Sequence, residues 1–368
     1  MAGLANKGVV CSPSSVTLSN WKRLSNALLE LPMLSAVYWR DFIVVMNTYQ
    51  YGECIVYNVK WNMWTRLDPK FPEQPTNGCP LVCFNNRLLA LGSSGTMYEF
   101  LSEVSRWEKS DIKFDLGYKQ SWQVQTELSS ASLTSSESTL FIVYMINETK
   151  IQHRYVHDQP QATPTQRILM KMYDGSSWSH PSPLNLGQKK KKKKNIHSVA
   201  LHSSSTIYIS TDENMYSIKV SSPEPVKLIT DNEETCTAVT TSPPQFVFKP
   251  VYGCTDTTEA KLDMTTHAPP PNKMSTLSVI NGSLFSFGGK DQDNQPFATV
   301  YCYSPETNSW QVAGSMLSSR YGVAVSKVKR EKGGSDVYVI GGYLGQSSQV
   351  KISCRIIEYC SASVNGGD

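Results

Sequence analysis

Nowhere in the 368 residues do 18 apolar side chains run together, so the sequence offers no segment for a membrane-crossing helix. Helical periodicity is nearly absent as well. Apolar residues seldom recur at i, i+3, i+4 and i+7, and only 24–31 hints at a helical turn. The opening MAGLANKGVV has neither the basic n-region nor the long apolar h-region of a secretory leader. This predicts a soluble cytoplasmic protein with no membrane partner.

Charge is scarce. Only 18% of residues are charged and 40% are hydrophobic, which supports a sizeable core and excludes a wholly disordered chain. The formal charge of +4 owes everything to one tract, Lys189, Lys190, Lys191, Lys192, Lys193 and Lys194; the rest of the chain is slightly acidic. A nucleic-acid footprint needs cations spread over a face, so no nucleic-acid partner is expected. The tract reads as a solvated low-complexity expansion, a nuclear-localisation patch or an electrostatic lure for an acidic partner.

Histidine numbers six. The pair His153 and His157 has the spacing of zinc ligands on a helix, but Pro160 and Pro164 oppose a helix there and no third ligand follows at fixed spacing. No metal site is expected. The sequence also lacks a nucleophile elbow, a phosphate-cradling glycine loop and an HExxH motif. The expectation is no catalytic residue and no cofactor, although a site assembled from separate loops would leave no local motif. Nine cysteines, an odd number scattered through apolar segments, predict free buried thiols rather than a disulfide frame.

What is abundant is short strands. β-branched and aromatic residues cluster in runs of four to seven between Gly, Pro, Asn and Ser punctuation. Two such runs flanking a polar turn occur at 35–46, 80–92, 131–145, 199–211, 238–250, 277–289 and 323–342, which predicts seven inner hairpins. The turn residues Asn85-Asn86, Asn281-Gly282 and Gly333-Gly334 suit positive φ or local hydrogen bonding. After most hairpins comes a strand carrying tyrosine, then one opened by tryptophan: Tyr57 to Trp64, Tyr98 to Trp107, Tyr173 to Trp178 and Tyr303 to Trp310. Four strands per repeat follow.

FSFGG (285–289) followed by VYCYSPETNSW (300–310), and VYVIGG (337–342) followed by IIEYC (356–360), resemble kelch repeats. The likeness implies an all-β, kelch-type β-propeller of seven blades, with six as the alternative should 235–270 be an insertion. A four-stranded sheet cannot bury both faces alone, so blades stack around an axis and large aromatics fill the wedges. The last repeat reaches only its third strand, whereas Asn20-Trp21-Lys22-Arg23-Leu24 is an orphan fourth strand similar to Met63-Trp64-Thr65-Arg66-Leu67. The N-terminal strand should therefore complete the last blade and hide the sheet edges. The expected division is a tail at 1–19, one propeller at 20–360 and a tail at 361–368.

The resemblance implies a monomeric, non-catalytic platform that docks protein or peptide segments, as substrate-receptor and scaffold propellers do. The alternative is a small-molecule enzyme or lectin-like binder using the central rim pocket. Loops between second and third strands, and between blades, share one rim, which directs attention to Tyr49, Tyr51, Lys290, Asp291, Tyr321 and Tyr343. Arg320 stands where many kelch domains carry an arginine before the innermost strand. It could clamp a carboxylate in the top pocket or serve a structural pairing with backbone.

Overall fold

A computed structural model describes residues 16–27, 34–48, 52–116, 124–150, 165–184, 196–202, 206–211, 215–220, 246–250, 273–291, 293–304, 309–331, 333–347, 350–353 and 355–364. Six antiparallel meanders account for nearly all of them. Blade I holds Leu34–Trp39, Phe42–Asn47, Cys54–Asn58 and Met63–Leu67. Blade II holds Leu81–Phe84, Arg87–Leu91, Met97–Leu101 and Arg106–Lys109. Blade III holds Val124–Ser135, Leu140–Lys150, Thr165–Tyr173 and Ser182–Pro183. Blade IV holds Ile196–His202, Thr206–Thr211, Met215–Val220 and Phe246–Pro250. Blade V holds Thr276–Ile280, Ser283–Phe287, Thr299–Ser304 and Ser309–Ser315. Blade VI holds Ala324–Lys329, Ser335–Ile340 and Ile357–Val364.

The fourth strand of blade VI is Val16–Arg23, antiparallel to Ile357–Val364. Ring closure by the N-terminal strand is thus present. That strand begins before residue 20 and its partner runs past residue 360, so the ring takes in more of both ends than 20–360. Each innermost strand touches the innermost strands of both neighbouring blades. The ring is closed around a channel.

The described residues form six blades, the smaller of the two expected counts. The described part of the expected hairpin at 238–250, Phe246–Pro250, pairs with Met215–Val220 as the outer strand of blade IV. A Phe-Val-Phe run suits either place, because an apolar β run carries no mark of its position in a meander. Residues 251–272 lie outside the described set.

One hydrophobic core fills each of the six interfaces between adjacent blades. Within blades, the recurrent aromatic pair is a cross-strand contact from third to fourth strand. Tyr57 faces Trp64 and Tyr303 faces Trp310 in register, with ring centroids 4.9 and 5.1 Å apart. Tyr173 meets Trp178 at 5.3 Å. In blade II the residue opposite Trp107 is Phe100, at 5.4 Å, while Tyr98 pairs with Lys109. Trp21 departs from the pattern, because it lies in a register shift between Ser19 and Lys22 and packs on the core between blades V and VI.

The turn chemistry matches the sequence. Asn85, Asn86, Asn281, Gly282, Gly333 and Gly334 all have positive φ, the conformation that Asn and Gly tolerate best. The described cysteines Cys54, Cys79, Cys83, Cys302 and Cys360 are free.

Candidate functional site

The meander topology puts two different kinds of connection at the two ends of the channel. Inner hairpin turns gather at one end; second-to-third-strand loops and blade junctions gather at the other, the rim. Tyr49, Tyr51 and the run Lys189 to Lys194 lie outside the described residues. The remaining rim candidates fall together where blade V meets blade VI.

Arg320 is fully buried and does not face a pocket. Its Nη1 donates to the carbonyls of Gly341 at 2.8 Å and Ile356 at 3.0 Å, and its Nη2 lies 3.4 Å from Glu358 Oε2. Its own backbone donates to the Phe297 carbonyl and accepts from the Gly289 amide in blade V. Arg320 therefore rivets two blades, the structural alternative rather than the ligand clamp. A buried guanidinium needs its charge and donors answered; here Glu358 answers the charge and the loop carbonyls take Nη1, while Nε and Nη2 make no hydrogen bond among the described residues. Glu358 is buried too and accepts the Leu317 amide at 2.7 Å.

The paired glycines of the motif make room for this rivet. Gly288 has φ of +57°, and a Cβ there would stand 2.1 Å from the Arg320 carbonyl oxygen; one on Gly342, at φ +91°, would stand 2.8 Å from the Tyr321 carbonyl oxygen. Only glycine permits both the backbone conformation and the approach.

Tyr321 and Tyr343 are buried and stacked, ring centroids 5.1 Å apart, and exchange backbone hydrogen bonds of 3.1 and 2.9 Å. Burial raises the pKa of the Tyr321 phenol. Lys290 Nζ sits 4.9 Å from the Tyr321 ring centroid, a cation–π distance, and donates to Asn294 Oδ1 at 2.8 Å. Asp291 Oδ1 accepts the Gln295 amide at 2.8 Å and so shapes the turn beside it. The four candidates Lys290, Asp291, Tyr321 and Tyr343 form one rigid corner in which the tyrosines are scaffold and the outward surface belongs to the 291–295 turn and Leu344. From Tyr343 the second-to-third-strand loop of blade VI continues into an extra hairpin, Tyr343–Ser347 with Val350–Ser353.

Sequence reasoning missed what crosses the channel. Between blades I and II the chain forms the short strand Asn77–Cys79, which pairs in parallel with Ser130–Ser132 of blade III. It also touches the innermost strands of blades I and IV. A bar thus spans the channel on the rim side, fastened by Ser132 Oγ accepting the Cys79 amide at 3.1 Å and by Cys79 Sγ donating to the His197 carbonyl at 3.3 Å. Its signal was Gly78, whose φ is +102° and whose added Cβ would meet the Ala131 carbonyl oxygen at 2.4 Å.

Beyond the bar, toward the hairpin turns, lies a cavity of about 430 Å³. All six innermost strands contribute to it, blade III through Leu133–Ser135, directly past the residues that hold the bar. The central pocket therefore opens at the hairpin end, not at the rim.

The kelch motif family matches residues 271–317, which span the whole of blade V. Over 101 residues the chain is 27% identical to Kelch-like protein 25 of Xenopus tropicalis; the match covers 27% of this chain and 16% of that protein. The solved structure of YjhT superposes with a TM-score of 0.50 over 90% of this chain and 95% of that one, at 9% identity, a likeness of fold alone. With a matched kelch motif, glycine pairs seated on the following junction, and a closed ring of meanders, the chain is a β-propeller whose blade V is similar to a kelch repeat.

Proposed function

We propose that the protein is a non-catalytic platform that recognises a protein segment on its rim, over blades V and VI. The observation that carries this reading is the corner built from Lys290, Tyr321 and Tyr343, where stacking, a cation–π contact and mutual backbone hydrogen bonds hold two loops in one geometry. Pre-ordered loops lose little entropy when a partner docks, which is where affinity is otherwise lost. The extra hairpin beside Leu344 adds backbone edge to the same surface, and exposed strand edges accept partner strands by β-augmentation. Because the bar at Asn77–Cys79 spans the channel, the partner lies across the rim and does not thread into it.

The test is cross-linking capture from cytoplasmic extract with the full chain, compared with Leu344→Asp and Lys290→Glu. The reading expects a defined set of proteins held by the native chain and lost from both variants, with Lys329→Glu on the far mouth retaining them. An identical set on all four proteins would overturn it.

A further inference from the structure

The cavity at the hairpin end has a chemistry the rim does not. Its walls mix apolar side chains, Leu81, Val82, Leu133, Leu201 and Val325 among them, with polar surface. Only two of its lining residues carry charge, and both are cations of blade VI: Lys327 and Lys329. They alternate on one strand, so both side chains leave the same face. Lys327 Nζ donates to the Val279 carbonyl at 2.7 Å, which holds the ammonium against the wall between blades V and VI. Lys329 makes no ion pair with any described residue.

Two cations side by side at the wall of one recess repel each other, and an anion placed between them relieves that repulsion. Burial, followed by repulsion from Lys329, lowers the pKa of Lys327. The nearby carboxylates are otherwise committed or peripheral. Asp336 pairs with Arg330 at 3.3 Å and accepts from the Tyr359 hydroxyl at 3.1 Å; Asp41 and Glu137 stand on the hairpin turns at the mouth. No carboxylate lines the cavity itself among the described residues. Its volume is that of a small-molecule site, and Thr134, Ser135 and Ser278 add hydroxyl-bearing positions to the lining.

We propose that this cavity binds a small organic anion, its charged head held by Lys327 and Lys329 and its apolar body set into the channel against the bar. The site is distinct from the rim: the two lie at opposite ends of the channel.

Titration calorimetry of the full chain with benzoate, phenyl phosphate and the neutral isostere benzamide tests it. The expectation is measurable binding of at least one anion and at least tenfold weaker binding of benzamide. Affinity should fall at least tenfold in Lys329→Gln, an exposed and unpaired position whose change leaves the fold intact by circular dichroism, and further in Lys327→Met with Lys329→Gln. Leu344→Asp on the rim should leave anion affinity unchanged. Equal binding of benzamide and benzoate, undiminished affinity in Lys329→Gln, or no anion binding up to about 10 mM would each overturn the proposal. So would binding confined to an acidic peptide. Failure here leaves rim recognition standing, since that is read by capture and not by calorimetry.

Discussion

Arg320 and Glu358 meet at 3.4 Å with neither side chain reaching solvent. One comes from the junction that leads into blade VI, the other from the third strand of that blade, and the junction's Leu317 amide also donates to Glu358. The pair sits beneath the rim corner as its foundation.

Breaking that pair from one side should be costly. Arg320→Ala leaves a buried carboxylate with one amide donor and takes one donor from each of the carbonyls of Gly341 and Ile356, so a loss of about 3–5 kcal/mol is expected. Arg320→Ala combined with Glu358→Gln should recover part of it. Urea denaturation of the native chain, both single variants and the double variant measures the coupling, and additive single effects would show that the two residues do not interact.

The seam at the N-terminal strand should govern cooperativity. Val16 and Leu18 are buried in the core shared by blades V and VI. Leu18→Ala is expected to cost about 2–4 kcal/mol, the range for emptying a packed leucine site. Removing residues 1–24 should also lower the urea m-value, because blade VI then loses its outer strand and frays before the ring unfolds. An unchanged midpoint and slope would mean that the strand is dispensable.

Gly78 should be the least replaceable residue of the channel bar. Alanine there meets both a positive φ and the Ala131 carbonyl, so Gly78→Ala should destabilise by at least about 2 kcal/mol. The local consequence can be read at its neighbour. Burial pushes the Cys79 thiol up to about 12, which keeps it protonated and unreactive at neutral pH. Once the bar is displaced, iodoacetamide should label Cys79 several-fold faster, as counted by peptide mass spectrometry.

A pH signature is expected in blade II. Arg87 donates to Asp111 at 2.5 Å and grips Glu99 through two bonds. The Arg87 hydrogen bond, ahead of weaker contributions, holds the Asp111 carboxyl below its ordinary range. A carboxyl depressed in the folded state contributes stability above its unfolded pKa and loses it as pH falls through the folded value. Asp111 is largely exposed, so solvent screening limits the effect of Asp111→Asn to under about 1 kcal/mol near neutrality. The native and variant stabilities should converge in acid, and a gap that stays constant with pH would exclude the ionic origin.

Much of this molecule is legible in its residues. Asn281-Gly282 and Gly333-Gly334 announce turns because few other residues accept their backbone angles, and Tyr303 to Trp310 announces a blade because the spacing carries a cross-strand pair. Trp21, similar to Trp64 in its flanks, pointed to the closing strand before any partner was visible. The failures share a cause, which is that position around the axis leaves no local mark. Phe246–Pro250 looks like half of an inner hairpin, yet its partner is decided by which strand has a free edge. Arg320 reads equally as a ligand clamp or a backbone pairing until Gly288 and Gly342 are seen to bring the junction close. The bar at Asn77–Cys79 is too short to show periodicity, and its parallel partner is more than fifty positions away.

The seam also determines how the ring can be joined to anything else. Val16 lies opposite Val364, and both stand beyond Ser335, at the hairpin end of blade VI. Segments leading into the first residue of the seam and out of the last emerge side by side at the outer margin of that face. Tethered modules would crowd the mouth holding the two lysines and leave the opposite, loop-bearing face free to meet its partner.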